Sequence, residues 1–212
     1  MKQINFKNIP SIRKDIEPLY VSAFPIEERP PVKMFFKNAV KDTIELIGFY
    51  NNDEFVGFTN LVDYQDICYI YFLAVTPEKR NQGFGSKILE EVKQIKRDKN
   101  LLLCFEEVDE KYKDNSFRIK RREFYHRNGF KNNIFKSNEF GVVYDSAVYG
   151  RQITFDEYLS LLVFNFSDWL KKFIKKADWR ARFNFCFGYL TSEKEMVKAT
   201  ANTTATEAVI GE

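Results

Sequence analysis

The sequence predicts an α/β (α+β) fold, with a central sheet of six to seven strands flanked by helices and a helical extension at its C-terminal end. Three observations carry this. Residues 67–75 are apolar at both alternating sets of positions, Ile67, Tyr69, Tyr71, Leu73 and Val75 on one side and Cys68, Ile70, Phe72 and Ala74 on the other. A strand apolar on both faces is a central strand covered by helices. The period then changes: Ile88, Leu89, Val92 and Ile95 fall at helical spacing, as does a long aromatic stripe from Phe155 onward. Shorter apolar runs separated by turn residues supply the remaining strands.

Taken in order, residues 2–9 alternate modestly and fit an edge strand. Pro10 stands where a helix can begin, and Ile12, Ile16, Leu19, Tyr20 and Phe24 follow at helical spacing as far as Pro25. Residues 24–31 form a charged loop with Glu27 and Glu28, ahead of a short helical patch holding Met34, Phe35 and Phe36. Runs 44–50 and 54–62 flank Asn51-Asn52-Asp53, a good hairpin turn. A second turn at residues 64–66 leads into the central strand, and Pro77 ends its ladder because proline has no N–H to donate. A helix over 85–97 precedes a strand over 101–108 that carries Glu106 and Glu107 near its far end. Residues 118–127, RIKRREFYHR, read as a basic helix closed by Asn128-Gly129, and two strands follow within 134–149.

Beyond residue 150 the pattern changes. Phe155, Tyr158, Leu159, Leu162, Phe166, Trp169, Leu170, Phe173 and Ile174 form an apolar stripe flanked by Lys171, Lys172, Lys175 and Lys176. A basic amphipathic helix can contact a membrane, but a stripe this long and dense is expected to pack on its own domain. Phe183, Phe185, Phe187 and Tyr189 recur at strand period, which fits an added strand or a homodimer contact. The expected organisation is a domain over 1–150, an aromatic extension over 151–190 and a disordered tail over 191–212.

Composition excludes several classes. With 33 Lys and Arg against 30 Asp and Glu, the charge surplus is too small to argue for nucleic acid. Three widely spaced cysteines and one histidine do not make a metal site, and no metal is expected. No signal-peptide pattern or long uncharged span is present, so a cytoplasmic location is expected.

The turn Arg80-Asn81-Gln82-Gly83-Phe84-Gly85-Ser86 lies between the central strand and the next helix. The first N–H groups of a helix lack internal partners, and the helix dipole adds partial positive charge there. Glycines let the main chain approach a bulky anion, and Arg80 adds a full charge at the rim. The spacing matches neither standard phosphate loop, since there is no Gly-Lys-Ser/Thr and no third glycine of a dinucleotide fingerprint. On this stretch alone, an ordinary strand-to-helix turn with glycines for tight packing is the favoured reading.

The whole segment resembles the GNAT superfamily of N-acetyltransferases, whose signature is a strand ending apolar-x-Val, then Pro, then Arg/Gln-x-x-Gly-x-Gly/Ala opening a helix. Leu73, Val75, Pro77, Arg80, Gly83 and Gly85 match it. Phe124-Tyr125-His126-Arg127-Asn128-Gly129-Phe130 resembles the family's downstream Phe-Tyr-x-x-x-Gly-Phe segment. The resemblance covers roughly residues 1–150 and implies a mixed, mostly antiparallel sheet. It also implies acetyl-CoA as co-substrate, held by Leu73, Val75 and residues 80–86 (Arg80, Asn81, Gln82, Gly83, Phe84, Gly85, Ser86). The strand at 101–108 is expected to diverge from the central one and leave a gap for the thioester arm. The reaction implied is direct acetyl transfer to an amine, with Tyr125 as proton donor to the departing thiolate and a backbone N–H near Val75 for the oxyanion.

The base is open: the family's carboxylate position aligns to Tyr69, leaving Glu106, Glu107, Glu27 and Glu28, directly or through water. Glu27 and Glu28 are also expected to help choose the acceptor, since the family's loop between the first two helices overhangs that site. His126, next to Tyr125, points elsewhere on its helix and is expected to be structural. The sequence departs from the common pattern at Arg118 and Arg121, where many members carry an asparagine and a small residue; Asn115 is a substitute for the former. A charge run is by default a solvated helix face, the alternative being contact with cofactor phosphates. A non-catalytic acyl-CoA-binding module, or an interaction protein acting through its C-terminal extension, are the other classes the sequence allows. Net charge does not select among small amines, protein N-termini and lysines.

Overall fold

The computed structural model describes residues 1–26, 29–139 and 142–170. The strand-period stretch at 183–189 and the expected disordered tail lie outside them, as do Glu27 and Glu28. In chain order the elements are β1 (Lys2–Asn5), α1 (Arg13–Ala23), α2 (Val32–Asn38), β2 (Ile44–Asn51), β3 (Glu54–Tyr64), β4 (Ile67–Val75), α3 (Phe84–Ile95), β5 (Asn100–Glu106), α4 (Asn115–Arg127), β6 (Lys131–Glu139), β7 (Val142–Tyr149) and α5 (Phe155–Leu170).

The strands form one sheet in the order β1-β2-β3-β4-β5-β7-β6, in which β4–β5 is the parallel pair and the other neighbours run antiparallel. Turn chemistry sets the hairpins. Asn52 and Asp53 both have positive φ, the geometry a two-residue hairpin needs, and Gln65 takes the same region between β3 and β4. The parallel step requires a crossover, and α3 supplies it.

The helices lie on both faces. Ile88, Leu89 and Val92 of α3, with Phe124 and Tyr125 of α4, pack on Cys68, Ile70, Leu73, Val75, Leu101, Leu103 and Phe105. Across the sheet, Ile16, Leu19 and Tyr20 of α1 and Phe35 and Phe36 of α2 cover Leu46, Phe58, Phe72 and Ala74. Beside them Tyr158, Leu161 and Leu162 of α5 cover Ile44, Val62, Ile67, Tyr69, Leu102 and Val148. Each such side chain contributes roughly 1.5–3 kcal/mol by burial, before the entropy of ordering it.

One expectation fails inside β4. The two faces do not alternate strictly, because the register with β3 runs Asn60↔Phe72 and then Leu61↔Ile70, leaving Tyr71 as an extra residue. This β-bulge resets the pleat. Leu73 and Val75 therefore join Cys68 and Ile70 on the α3 side, while Tyr71 and Phe72 share the opposite face with rings 4.3 Å apart.

Candidate active site

The site begins where β4 and β5 part. Their parallel pairing runs Ile67↔Asn100, Cys68↔Leu101 and Tyr69↔Leu102, and stops. Past Tyr69, β4 continues to Val75 paired with β3 alone, while β5 continues to Glu106 paired with β7. The edges of residues 70–75 and 103–106 that face each other are thus left without ladder partners among the described residues. Leu73 and Val75 are buried in this stretch, 3% and 0% exposed.

Next to the end of β4 lies the N-terminus of α3. Asn81 and Gly83 both have positive φ, and Gly83 is the cap residue without any side-chain cap bond. The first intrahelical bond runs from the Lys87 amide to the Gly83 carbonyl, which leaves the Phe84, Gly85 and Ser86 amides at an open helix end. A Cβ on Gly83 would meet nothing within 4 Å, so the space beside the cap residue is open. Phe84 and Gly85 are buried, Ser86 is half-buried, and Asn81 and Gln82 are exposed, with Gln82 donating to the Glu78 carbonyl at 2.7 Å. Arg80 folds back, Nε donating to the Val75 carbonyl at 3.3 Å, and so braces the end of β4.

On the other side of the gap stands α4. Tyr125 is buried, its ring 5.5 Å from Phe105, 5.2 Å from Phe124 and 6.1 Å from Phe130. Burial pushes its hydroxyl up to about 12, with nearby Arg121 opposing the rise and the Cys104 thiol adding to it. It therefore stays protonated at neutral pH, beside the part of β5 that β4 has left. At the first turn of the same helix, Asn115 has a buried Oδ1 that accepts no hydrogen bond. His126 is exposed and bonds Asn132 Oδ1 at 2.8 Å.

The arginines of α4 are not a solvated face. Arg118 and Arg121 are 8% and 7% exposed. Arg118 holds Asp114 at 2.9 and 3.0 Å, donates to the Glu107 carbonyl at 3.1 Å and lies 3.9 Å over the Tyr112 ring. Arg121 is ion-paired with Glu106, which is itself 6% exposed. A buried guanidinium needs such a partner, since an unpaired charge there is very costly. Both arginines thereby tie α4 to the end of β5, Arg121 one turn and Arg118 two turns before Tyr125. Composition hides this, because a run of charge reads as solvated unless the facing carboxylates are known.

Glu106 is thus committed to Arg121. Glu107 bonds Lys136 at 2.9 Å and Lys111 at 3.0 Å, and these cations hold its carboxyl below the usual range. Among the described residues, no group of three or more His, Cys, Asp and Glu side chains is placed to hold a metal ion, and no helix is long and apolar enough to cross a membrane.

Residues 43–132 match the model of the GNAT acetyltransferase domain. No curated protein matches the chain by sequence. Solved structures do share the fold. A GNAT-family protein from Bacteroides thetaiotaomicron aligns with a TM-score of 0.62 at 20% identity, over 77% of this chain and 96% of that one. An aminoglycoside 6'-N-acetyltransferase complexed with coenzyme A aligns at 0.57 and 15% identity, over 72% and 100%. The aminoglycoside 6'-N-acetyltransferase from Enterococcus faecium gives 0.56 and 14%, over 72% and 100%. At these identities the likeness is one of fold. The domain model over residues 43–132, the sheet order and the two sequence motifs agree on the GNAT fold.

Proposed function

We propose that this protein transfers the acetyl group of acetyl-CoA directly to a primary amine. The observation that carries the reading is the parting of β4 from β5 after Tyr69–Leu102, with an open helix N-terminus at one end and Tyr125 beside the gap. The Phe84, Gly85 and Ser86 amides take the phosphates of the cofactor, and the unpaired edge of residues 70–75 takes its amide-bearing arm as an added strand would be taken. Asn115 Oδ1, buried without a partner, accepts a donor from the same arm. The fold supports this, since an aminoglycoside acetyltransferase that shares it is complexed with coenzyme A.

The neutral amine attacks the thioester carbonyl, a backbone N–H near Val75 stabilises the oxyanion, and collapse expels the thiolate while the amine's proton passes to Glu27 or Glu28, directly or through water. Tyr125 donates to that sulfur. With its hydroxyl near 12 and a thiol near 8.5, full proton transfer to a solvated thiolate runs uphill. Hydrogen bonding to the developing charge is therefore its main contribution, and burial of the sulfur in the gap narrows the mismatch. Glu106 and Glu107, each held by cations, act by fixing α4 and β6 rather than as free bases. Glu27 and Glu28, on the loop between α1 and α2, are the remaining acidic residues assigned to the acceptor. We place the reaction in the cytoplasm, where the composition fits.

The test is release of free thiol from acetyl-CoA with a panel of amines, alongside thermal shift. Acetyl-CoA is expected to raise the melting temperature. Tyr125→Phe is expected to lower turnover by roughly 10²-fold with little change in acetyl-CoA affinity. A thermal shift without thiol release from any amine would instead identify a non-catalytic acyl-CoA-binding module.

A further inference from the structure

The face of β4 turned away from α3 carries a second feature at the same gap. The bulge at Tyr71 brings Tyr71 and Phe72 onto one face just beyond Tyr69, where the parallel pairing stops. Tyr71 packs against two separate groups, the α1–α2 cluster and the α5 cluster, and so marks the seam between them. On the α1 side Phe24 stands edge-on to Phe72 with centroids 4.7 Å apart. On the α5 side Phe166 lies 5.5 Å from Tyr71, and Tyr69 also lies 5.5 Å from Tyr71. Phe72 and Tyr69 are each 4% exposed and form a floor, whereas Phe24, Tyr71 and Phe166 are half-buried. Each of these three wall residues therefore keeps part of its surface exposed. Among the described residues Arg29 sets a cation against this seam: it donates to the Phe24 carbonyl at 3.0 Å and lies 5.5 Å over the Tyr20 ring.

We propose that this aromatic seam receives the acceptor, that Phe166 of the C-terminal helix is a specificity-determining wall, and that the acceptor is a monoamine on an aromatic or alkyl arm rather than a polycation. The inference rests on the acetyl-transfer reading above and names its substrate class. The cofactor side of the gap is taken by α3 and α4, so the nucleophile approaches from the face that Tyr71 shares with α1 and α5. Rings on three sides reward an apolar arm with a single amine at its end. Additional ammonium groups would lose hydration against those rings and meet Arg29, and Glu27 and Glu28 serve the single reacting amine. Apolar walls also disfavour the ammonium form of the reacting amine, which raises the fraction of neutral nucleophile at a site whose described glutamates are held by cations.

The experiment compares kcat/KM for 2-phenylethylamine, hexylamine, spermidine and an aminoglycoside, using full-length protein, Phe166→Ala, Phe166→Tyr and Phe24→Ala. The two monoamines are expected to be the better substrates. Phe166→Ala should raise their KM so that kcat/KM falls roughly tenfold or more, while the thermal shift given by acetyl-CoA is retained, and Phe166→Tyr should restore activity. Phe24→Ala, on the opposite wall, should act in the same sense if the slot is real, which guards against a folding defect confined to α5. Better turnover of the polycations, or an unchanged preference in both alanine variants, would overturn this proposal and leave acetyl transfer standing. Absence of thiol release with every amine would remove the transferase reading, and the acceptor slot with it.

Discussion

Replacing Gly57 with alanine probes how tightly the end of β4 is held. Gly57 pairs with Val75 in the β3–β4 register, and a Cβ built on it would lie 2.2 Å from the Ala74 carbonyl oxygen and 3.1 Å from the Val75 Cα. Both obstacles are backbone, so no side chain can swing aside. A carbon–oxygen contact settles near 3.3 Å, so the strands must part by about 1 Å at this point. Overpacking of this kind costs typically 1–3 kcal/mol. At about 2–4 °C per kcal/mol for a chain of this size, the melting temperature should fall by roughly 2–12 °C. The displacement falls on Val75, next to the N–H assigned to the oxyanion, where a misplacement of about 1 Å is enough for a loss of order 10²-fold in turnover. Acetyl-CoA should still shift the melting temperature, because the amides after Gly83 sit on a different element. The assays are scanning calorimetry and thiol release. A variant that melts with the wild type and turns over at the wild-type rate would refute the reasoning, since the geometry leaves Cβ no free space.

Two further outcomes follow from the ion pairs. Lys96, 8% exposed, holds Glu45 and Asp63 at 2.6 Å each, so Lys96→Met leaves two carboxylates facing one another; about 2–4 kcal/mol should be lost in urea unfolding, with partial recovery on adding Asp63→Asn, and a change under 0.5 kcal/mol would contradict the assignment. Arg151 holds the carboxyls of Asp66 and Glu157 below their usual values. Stability from such groups is present above their unfolded pKa values near 4 and is lost as pH falls through the lowered ones. The gap in melting temperature between wild type and Arg151→Gln should therefore be open at pH 7 and close toward pH 3; a pH-independent gap would rule this out.

Much of the site's frame is legible in the sequence because it depends on local chemistry. The two-faced run at 67–75, the Asn52-Asp53 turn and the Gly83 cap each declare themselves within a few residues. What stays hidden depends on distant partners. The Tyr71 bulge arises from a register with β3 that no alternation pattern records. Arg118 and Arg121 read as solvent-facing until Asp114, Glu106 and the Glu107 carbonyl are placed around them. Gly57 looks like an unremarkable strand glycine until the Ala74 carbonyl is seen beside it. A usable local signal was also present at the start of α5. There Thr154 and Glu157 form a reciprocal capping box, the Glu157 amide donating to Thr154 Oγ1 at 3.2 Å and the Thr154 amide to Glu157 Oε2 at 2.8 Å.

That capped end gives α5 the mechanics of a lever. Its fulcrum is fixed at the foot of the parallel pair, where Arg151 grips Asp66 in the β3–β4 turn and Glu157 in the first turn of the helix. Phe166 lies about 16 Å along the axis from Phe155 at 1.5 Å per residue. A tilt of about 5° at the fulcrum therefore moves the Phe166 ring by about 1.4 Å over that arm. Substitutions around Asp66 or Arg151, remote from the gap, would be felt there as a change in the width of the aromatic slot. Acceptor preference could in this way drift through residues that touch neither substrate, while the cofactor side stays as it is.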